Sequence, residues 1–368
     1  MFDDSVPLKV YGLKVSYFTG KLESYLRYKC IPYEFVPMTA YDFTTKGRLK
    51  TGAMQMPMVE LPDGRWLTDT SPIIEWLETQ YCESQIVPED PLLAFLAHLI
   101  EDYADEWLWR PAMYYRWVHQ PDARLLSEQI SDVMGRNIIA PRWLKRWNVK
   151  RRQYKNFVVR DGCSKESKEH IANTYLILLD LLKPIFKSRP FILGHRVSLA
   201  DIGLMGPLFR HFAMDPTPAE IMRECAPEVM AWVYRVWAAR GAQMQQFDLN
   251  CVGSLVSLLQ EIGQTHLVAL NANAKAWLKG QLHHDLHVQG VTYPRLQTSW
   301  YRAWCLEKLQ YRYEALSSLN KARVDDALGA AGLVPQLLEV EGLETGYDPE
   351  GFAPFIHKAA PVFPKVGA

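Results

Sequence analysis

Several groups of side chains in this sequence have types and spacings that can do chemistry. Ser16 and Tyr17 are adjacent hydroxyls in Ser16-Tyr17-Phe18-Thr19-Gly20, between a short apolar run and a helical pattern. A hydroxyl at a helix N-terminus can donate a hydrogen bond to a negatively charged atom. Asp69-Thr70 opens another helical pattern; the free amides there suit a carboxylate, and plain capping is compatible with that role. His283-His284-Asp285-Leu286-His287 has metal-ligand residue types. Its neighbours alternate as in a strand and no fourth ligand stands near, so no metal is expected. Residues 136–160 hold nine cationic residues and no acid, among them Arg142, Lys145, Arg146, Lys150, Arg151, Arg152 and Lys155, with Trp143, Trp147 and Tyr154 interleaved. Basic grooves with aromatic rings bind single-stranded nucleic acid. The whole chain, however, carries 41 Lys+Arg against 41 Asp+Glu. That balance argues against a nucleic-acid partner and for a solvated helix face or loop, with the rim of an anionic-substrate site as the next reading.

These residues need elements to position them. The chain has 368 residues, 48% hydrophobic and 22% charged, enough apolar material for large cores in two or three domains. Leu8 to Tyr11 reads as a strand. Lys21 to Cys30 reads as a helix through Leu22, Tyr25 and Leu26, stopped by Ile31-Pro32, and Tyr33 to Val36 reads as a second strand. Residues 40–53 read as irregular. Met58–Leu61 and Arg65–Thr68 flank the turn Pro62-Asp63-Gly64, and a helix follows over about 71–81. Strand signals then vanish. Residues 92–120 predict one long aromatic-rich helix, or two with a bend near Pro111; helices are also expected over 165–187, from Ser198 and over 226–240. Ser198 with Asp201 three residues on is a capping pattern. The segment 246–368 has a helical stretch near 254–279, a hairpin at Gln289-Gly290, a helix near 300–318 and an extended tail from Gly342. Its Trp277, Trp300, Trp304 and Leu306 are too apolar for a free linker, so it is expected to dock on the helical domain. The fold class is α/β plus all-α: residues 1–85, then 91–245, then the extension 246–368. No apolar run reaches the length of a membrane span. Six single cysteines without a Cys-x-x-Cys, and an acidic Met1-Phe2-Asp3-Asp4, fit reduced thiols in a cytoplasmic protein.

Four motifs, in this order and at these separations, resemble the cytosolic glutathione transferase superfamily. They are Ser16-Tyr17-Phe18-Thr19-Gly20-Lys21-Leu22 running on to Lys29-Cys30-Ile31-Pro32-Tyr33-Glu34; Gln55-Met56-Pro57; Leu67-Thr68-Asp69-Thr70-Ser71-Pro72-Ile73; and Phe191-Ile192-Leu193-Gly194 with Ser198-Leu199-Ala200-Asp201. The resemblance covers residues 8–245 and leaves the extension without a counterpart. It implies a thioredoxin-like first domain, a helical-bundle second domain, a homodimer, no resident cofactor, and glutathione as co-substrate. Ser16 falls on the position of the thiol-activating serine, and Tyr17-Phe18 imitates the tyrosine-type arrangement as the runner-up. No cysteine lies in the 16–21 loop, which argues against thiol-exchange reductases.

The resemblance further implies a cis Pro57, so that the backbone of Met56 pairs with the glutathione cysteine like an added strand. Gln55 then reaches the glycyl end, and Asp69 and Thr70 hold the γ-glutamyl end. The helix over 101–117, with Trp109 and Tyr114, is expected either to face a hydrophobic electrophile or to form a dimer face and core. The function so implied is conjugation of the thiolate to a hydrophobic electrophile, as in detoxification. A binding or structural protein without turnover, and a glutathione-dependent isomerase or dehalogenase, are the alternatives. Neither nucleic acid nor a membrane is an expected partner.

Overall fold

The computed structural model describes residues 6–243 and 246–355; the acidic N-terminus and the last part of the expected tail, residues 356–368, lie outside it. The first elements are β1 (Leu8–Gly12), α1 (Tyr17–Tyr28), β2 (Tyr33–Pro37), the single turn α2 (Ala40–Asp42), β3 (Met58–Glu60), β4 (Trp66–Thr68) and α3 (Thr70–Gln80). The sheet order is β2-β1-β3-β4, with β1 and β2 parallel and the other pairs antiparallel. This is a thioredoxin-like β-α-β, β-β-α unit. Two local readings are corrected. The helix α1 starts at Tyr17 rather than Lys21, because the Ser16 side chain accepts from Thr19 N and caps it. Residues Phe43–Thr51 wind as a π-helical run instead of an irregular loop.

The helical part contains α4 (Pro91–Glu106), α5 (Trp109–Val118), α6 (Gln120–Met134), α7 (Arg142–Tyr154), α8 (Lys168–Ser188), α9 (Leu199–Pro207), α10 (Pro216–Cys225) and α11 (Pro227–Ala238). The expected bend at Pro111 falls instead at Trp107-Leu108. Pro111 is the third residue of α5, where its missing N–H has no helical acceptor to lose. Ser198 and Asp201 form the expected capping box on α9. Asp201 also accepts from Ile192 N and from Trp232 Nε1, so one buried carboxylate ties three segments together.

The extension contains α12 (Val256–Ile262), α13 (Val268–Leu278), the hairpin β5 (His283–Val288) and β6 (Val291–Gln297), α14 (Trp300–Glu314), α15 (Ser318–Gly329) and the short α16 (Val334–Leu337). Gln289 and Gly290 both take positive φ at the hairpin turn. The helices α14 and α15 pack on α4, and α12 packs on α8. Leu306, Leu309, Val324 and Leu328 join the same apolar core as Leu96 and Ile100 of α4. Ion pairs fasten the seam: Arg302 to Glu106, Lys308 and Arg312 to Glu75, and Arg323 to Asp90. Among the described residues no helix is long and apolar enough to cross a membrane.

Candidate functional site

The site is built on the loop ends of one sheet. β1 delivers the chain to Ser16, which is half-buried, with its Oγ accepting from Thr19 N at 3.4 Å. The preceding carbonyl, that of Val15, accepts from Arg116 at 2.7 Å. Arg116 is buried and forks onto Asp215 at 2.7 and 2.9 Å, so α5 fixes the loop that carries Ser16. Tyr17 points elsewhere. It is 1% exposed, and its hydroxyl donates to the Ala104 carbonyl at 2.5 Å. Burial pushes its phenol well above the ordinary range. A Cβ on Gly206 would stand 2.5 Å from the Tyr17 ring, so α9 approaches α1 there only because residue 206 has no side chain.

The Met56–Pro57 peptide is cis. Gln55 is oriented by a 3.0 Å hydrogen bond from its amide to Thr68 Oγ1. The Met56 side chain packs in one apolar cluster with Val15 and Trp109. Asp69 precedes α3 with φ 71°, and its side chain makes no capping bond. A non-glycine residue at positive φ costs about 1–3 kcal/mol and persists only where its surroundings hold it. Here the Tyr301 hydroxyl, from α14, donates to Asp69 Oδ1 at 3.3 Å. Thr70 is buried at the first turn of α3.

Behind α3 lies a charged cluster. Lys21 is fully buried and donates to Glu101 and Asp105 of α4, both at 2.5 Å, and to Ser71 Oγ at 3.0 Å. Burial alone would lower the Lys21 pKa; the two carboxylates outweigh it and hold the ammonium charged. One cation cannot neutralise two buried carboxylates. Burial therefore keeps Asp105 protonated well above the usual carboxyl range, while Lys21 holds Glu101 ionised against its own burial. Lys21, Glu101 and Asp105 join the first unit to the second. The other acids of the same stretch are also used within the chain: Asp102 bonds His266 at 2.6 Å and Glu106 bonds Arg302 at 2.9 Å.

Of the aromatic pair on α5, Trp109 belongs to the site's surroundings. Its ring stacks on Phe18 at 5.7 Å and meets Phe157 edge-on at 5.5 Å. Tyr114 makes its ring contacts with Tyr115 and His119 instead. Sequence reasoning missed Tyr301, Phe157, the Lys21 cluster and the stacking of Phe18, named there only beside Tyr17, on Trp109. Lys21 alone left a signal: a lysine one residue from Leu22, on a helix whose neighbours read as buried. Among the described residues no group of three His, Cys, Asp or Glu side chains is arranged to hold a metal. The imidazoles of His284 and His287 face threonine hydroxyls, those of Thr298 and Thr292.

A thioredoxin-like unit with a loop hydroxyl, a cis-proline turn and an acidic residue opening α3, joined to a helical bundle, defines a class of two-domain proteins. Residues 10–85 match the glutathione S-transferase N-terminal domain and residues 159–239 match its C-terminal domain, so these two regions are of the glutathione transferase superfamily. Neither match reaches α4–α7 or the extension. Among solved structures the chain is similar to a glutathione S-transferase from Rhodospirillum rubrum F11, with 17% identity, 63% of this chain and 88% of that one covered, and a TM-score of 0.42. It is also similar to a beta-etherase from Sphingobium sp. strain SYK-6, with 19% identity, 63% and 96% covered, and a TM-score of 0.46. A third is a glutathione S-transferase from Methylobacterium radiotolerans JCM 2831 in complex with glutathione sulfonate, with 19% identity, 66% and 96% covered, and a TM-score of 0.41. No protein of curated function matches the chain.

Proposed function

We propose that this protein is a glutathione transferase that directs the glutathione thiolate onto a hydrophobic electrophile. The observation that carries the reading is the pair of hydroxyls at the start of α1. Ser16 is half-buried and accepts from a helix amide, which leaves its own O–H to donate, whereas the Tyr17 O–H is spent on Ala104. A thiol with a free pKa of about 8.5 is mostly protonated at neutral pH. A donated hydrogen bond and the positive end of α1 favour its thiolate.

In this reading the Met56 backbone beside Pro57 pairs with the cysteinyl amides and Gln55 faces the glycyl end. Asp69 takes the ammonium, and Thr70 with the first amides of α3 takes the carboxylate of the γ-glutamyl end. Trp109, with Phe18 and Phe157, supplies an apolar wall for the electrophile; Tyr114 is a more remote candidate on the same helix. The three units are 1–85, 91–245 and 246–368, and the six free cysteines suit a reducing, cytoplasmic setting. A homodimer would have to use surface other than the acidic residues of α4, which are consumed within the chain.

Ser16→Ala should cut turnover of a generic aromatic electrophile about 5- to 150-fold, on the order of 1–3 kcal/mol. It should raise the pKa of bound glutathione, read from thiolate absorbance, and leave retention on immobilised glutathione nearly unchanged. Unchanged turnover and thiol pKa would remove the serine assignment. One observation favours a second reading, a glutathione-binding protein without turnover: the extension brings Tyr301 onto Asp69 and the Pro354 carbonyl onto Thr68 N, beside the proposed γ-glutamyl pocket. Retention on immobilised glutathione with no turnover of any electrophile would select it.

A further inference from the structure

The basic run 136–160 reads in sequence as a solvated face, and the structure adds how its side chains divide. The helix α7 has no buried residue. One side fastens it to the body. Lys145 donates to the Gly135 carbonyl, Arg146 pairs with Glu128, Lys150 donates to Gln120, and Val149 packs into the apolar cluster around Trp117 and Val158. The other side carries Trp143, Trp147 and Tyr154, at i, i+4 and i+11, hence on one stripe. Trp143 is 69% and Trp147 53% exposed, and Tyr154 is also exposed. Leu144 flanks the stripe, and Ile138 and Ile139 stand exposed in the turn before it. Arg142, Arg151, Arg152 and Lys155, on the same helix and just past its end, are exposed as well. None of the four has a carboxylate partner among the described residues, and Arg151 sits over the Trp147 ring at 5.3 Å.

We infer that the outward face of α7, with Ile138 and Ile139, is a docking surface for an anionic lipid membrane. Indole and phenol rings have an apolar body and a polar tip, which suits the headgroup boundary of a bilayer, and cations beside them meet lipid phosphates. The aliphatic residues separate this partner from nucleic acid. Bases stack on aromatic rings and phosphates pair with arginines, but neither gives Ile138, Ile139 or Leu144 anything apolar to enter. A second copy of the chain is disfavoured because two such faces carry the same sign of charge. Whole-chain neutrality, which in the sequence favours a solvated face, does not decide the matter, because screening confines the interaction to about 10 Å at 0.1 M salt and the local charge of α7 is what a surface meets.

The position has a consequence for the substrate, which rests on the transferase reading above. α7 runs on into Phe157, whose ring stands against Trp109. A membrane-seated α7 therefore holds the apolar wall of the proposed electrophile site close to the lipid, where a lipophilic electrophile concentrates.

The test is flotation of the full-length protein with phosphatidylcholine vesicles containing or lacking phosphatidylglycerol, without glutathione. Binding is expected to the anionic vesicles only and to weaken as salt rises. The Trp143→Ser/Trp147→Ser variant should weaken binding at least tenfold, and so should Arg151→Glu/Arg152→Glu, with unchanged circular dichroism and thermal midpoint. Both pairs are exposed, so neither change threatens folding. No flotation with anionic vesicles, equal flotation of the variants, or tighter binding to a single-stranded oligonucleotide than to vesicles would overturn the inference. Ser16→Ala should float like the wild type, so loss of transferase activity and loss of lipid binding are read separately.

Discussion

The hydroxyl of Tyr301 donates to Asp69 Oδ1 at 3.3 Å from 232 positions further along the chain. Burial, with Asp69 beside it, pushes the Tyr301 phenol well above its ordinary range, so it remains a donor at any working pH. Asp69 already carries a strained backbone, and this contact orients the carboxylate that the proposed γ-glutamyl pocket requires. Tyr301→Phe should raise the KM for glutathione roughly 3- to 10-fold, the size of one net hydrogen bond of about 1 kcal/mol, with kcat within a factor of two. Steady-state kinetics decides it. Tighter glutathione binding in the variant would mean that the extension competes with the ligand.

Tyr17 offers the opposite pattern. Its hydroxyl serves only the joint between α1 and α4, so Tyr17→Phe should lower stability by roughly 0.5–1.5 kcal/mol while leaving the bound-thiol pKa and turnover as they are. A denaturant titration alongside an activity assay separates the two effects. A loss of turnover with no loss of stability would return Tyr17 to the chemistry.

Lys21 is a buried cation between Glu101 and Asp105. Lys21→Met should destabilise by about 3–5 kcal/mol, because Glu101 is left as an uncompensated buried charge. Adding Glu101→Gln should recover part of that loss, since Asp105 already holds a proton. The urea midpoints of the two single variants and the double form a cycle, and simple additivity would contradict the coupling.

Acid should loosen the seam with the extension in two stages. Burial, together with Arg312, lowers the His98 pKa to about 3. The unfolded chain therefore takes up that proton below the ordinary 6.5 while the folded one does not, and stability falls as pH drops from 6.5 toward 3. His284, lowered by burial to about 4, acts in the same direction. Glu75 is held at about 2 by Lys308 and Arg312 against its burial. Its contribution is intact above the ordinary 4.5 and disappears as pH falls through about 2. Thermal midpoints from pH 7.5 to 3 should decline, with a shallower slope above pH 4.5 in His98→Gln and a shallower slope below it in Glu75→Gln.

What could be read from sequence was what neighbouring residues settle among themselves. Pro62-Asp63-Gly64, Gln289-Gly290 and the Ser198–Asp201 capping box each carry their geometry within four residues. The sequence starts α1 too late because Tyr17, Thr19 and Gly20 break the apolar spacing, and only the cap on Thr19 N extends the helix back to Ser16. The sequence puts the break at Pro111 rather than at Trp107-Leu108 because proline is the stronger local sign, although it is harmless in a first turn. Asp69 was legible as a candidate from the motif around it. Its partner Tyr301 was not, since nothing at residue 301 reports on a loop in another unit of the fold. The division of α7 into a fastened side and an outward side likewise depends on Gly135, Glu128 and Gln120, which lie on other segments.

The bond from Thr68 N to the Pro354 carbonyl at 3.0 Å also affects how the protein behaves in concentrated solution. β4 is the outer strand of its sheet, and an open strand edge can template the addition of strands from other molecules. Here the chain's own C-terminal region takes that position through a proline, which accepts from Thr68 and has no N–H with which to extend the ladder. The contact works as a stopper against sheet growth between copies. Shortening the chain to end before residue 354 should therefore favour self-association even where the fold itself survives.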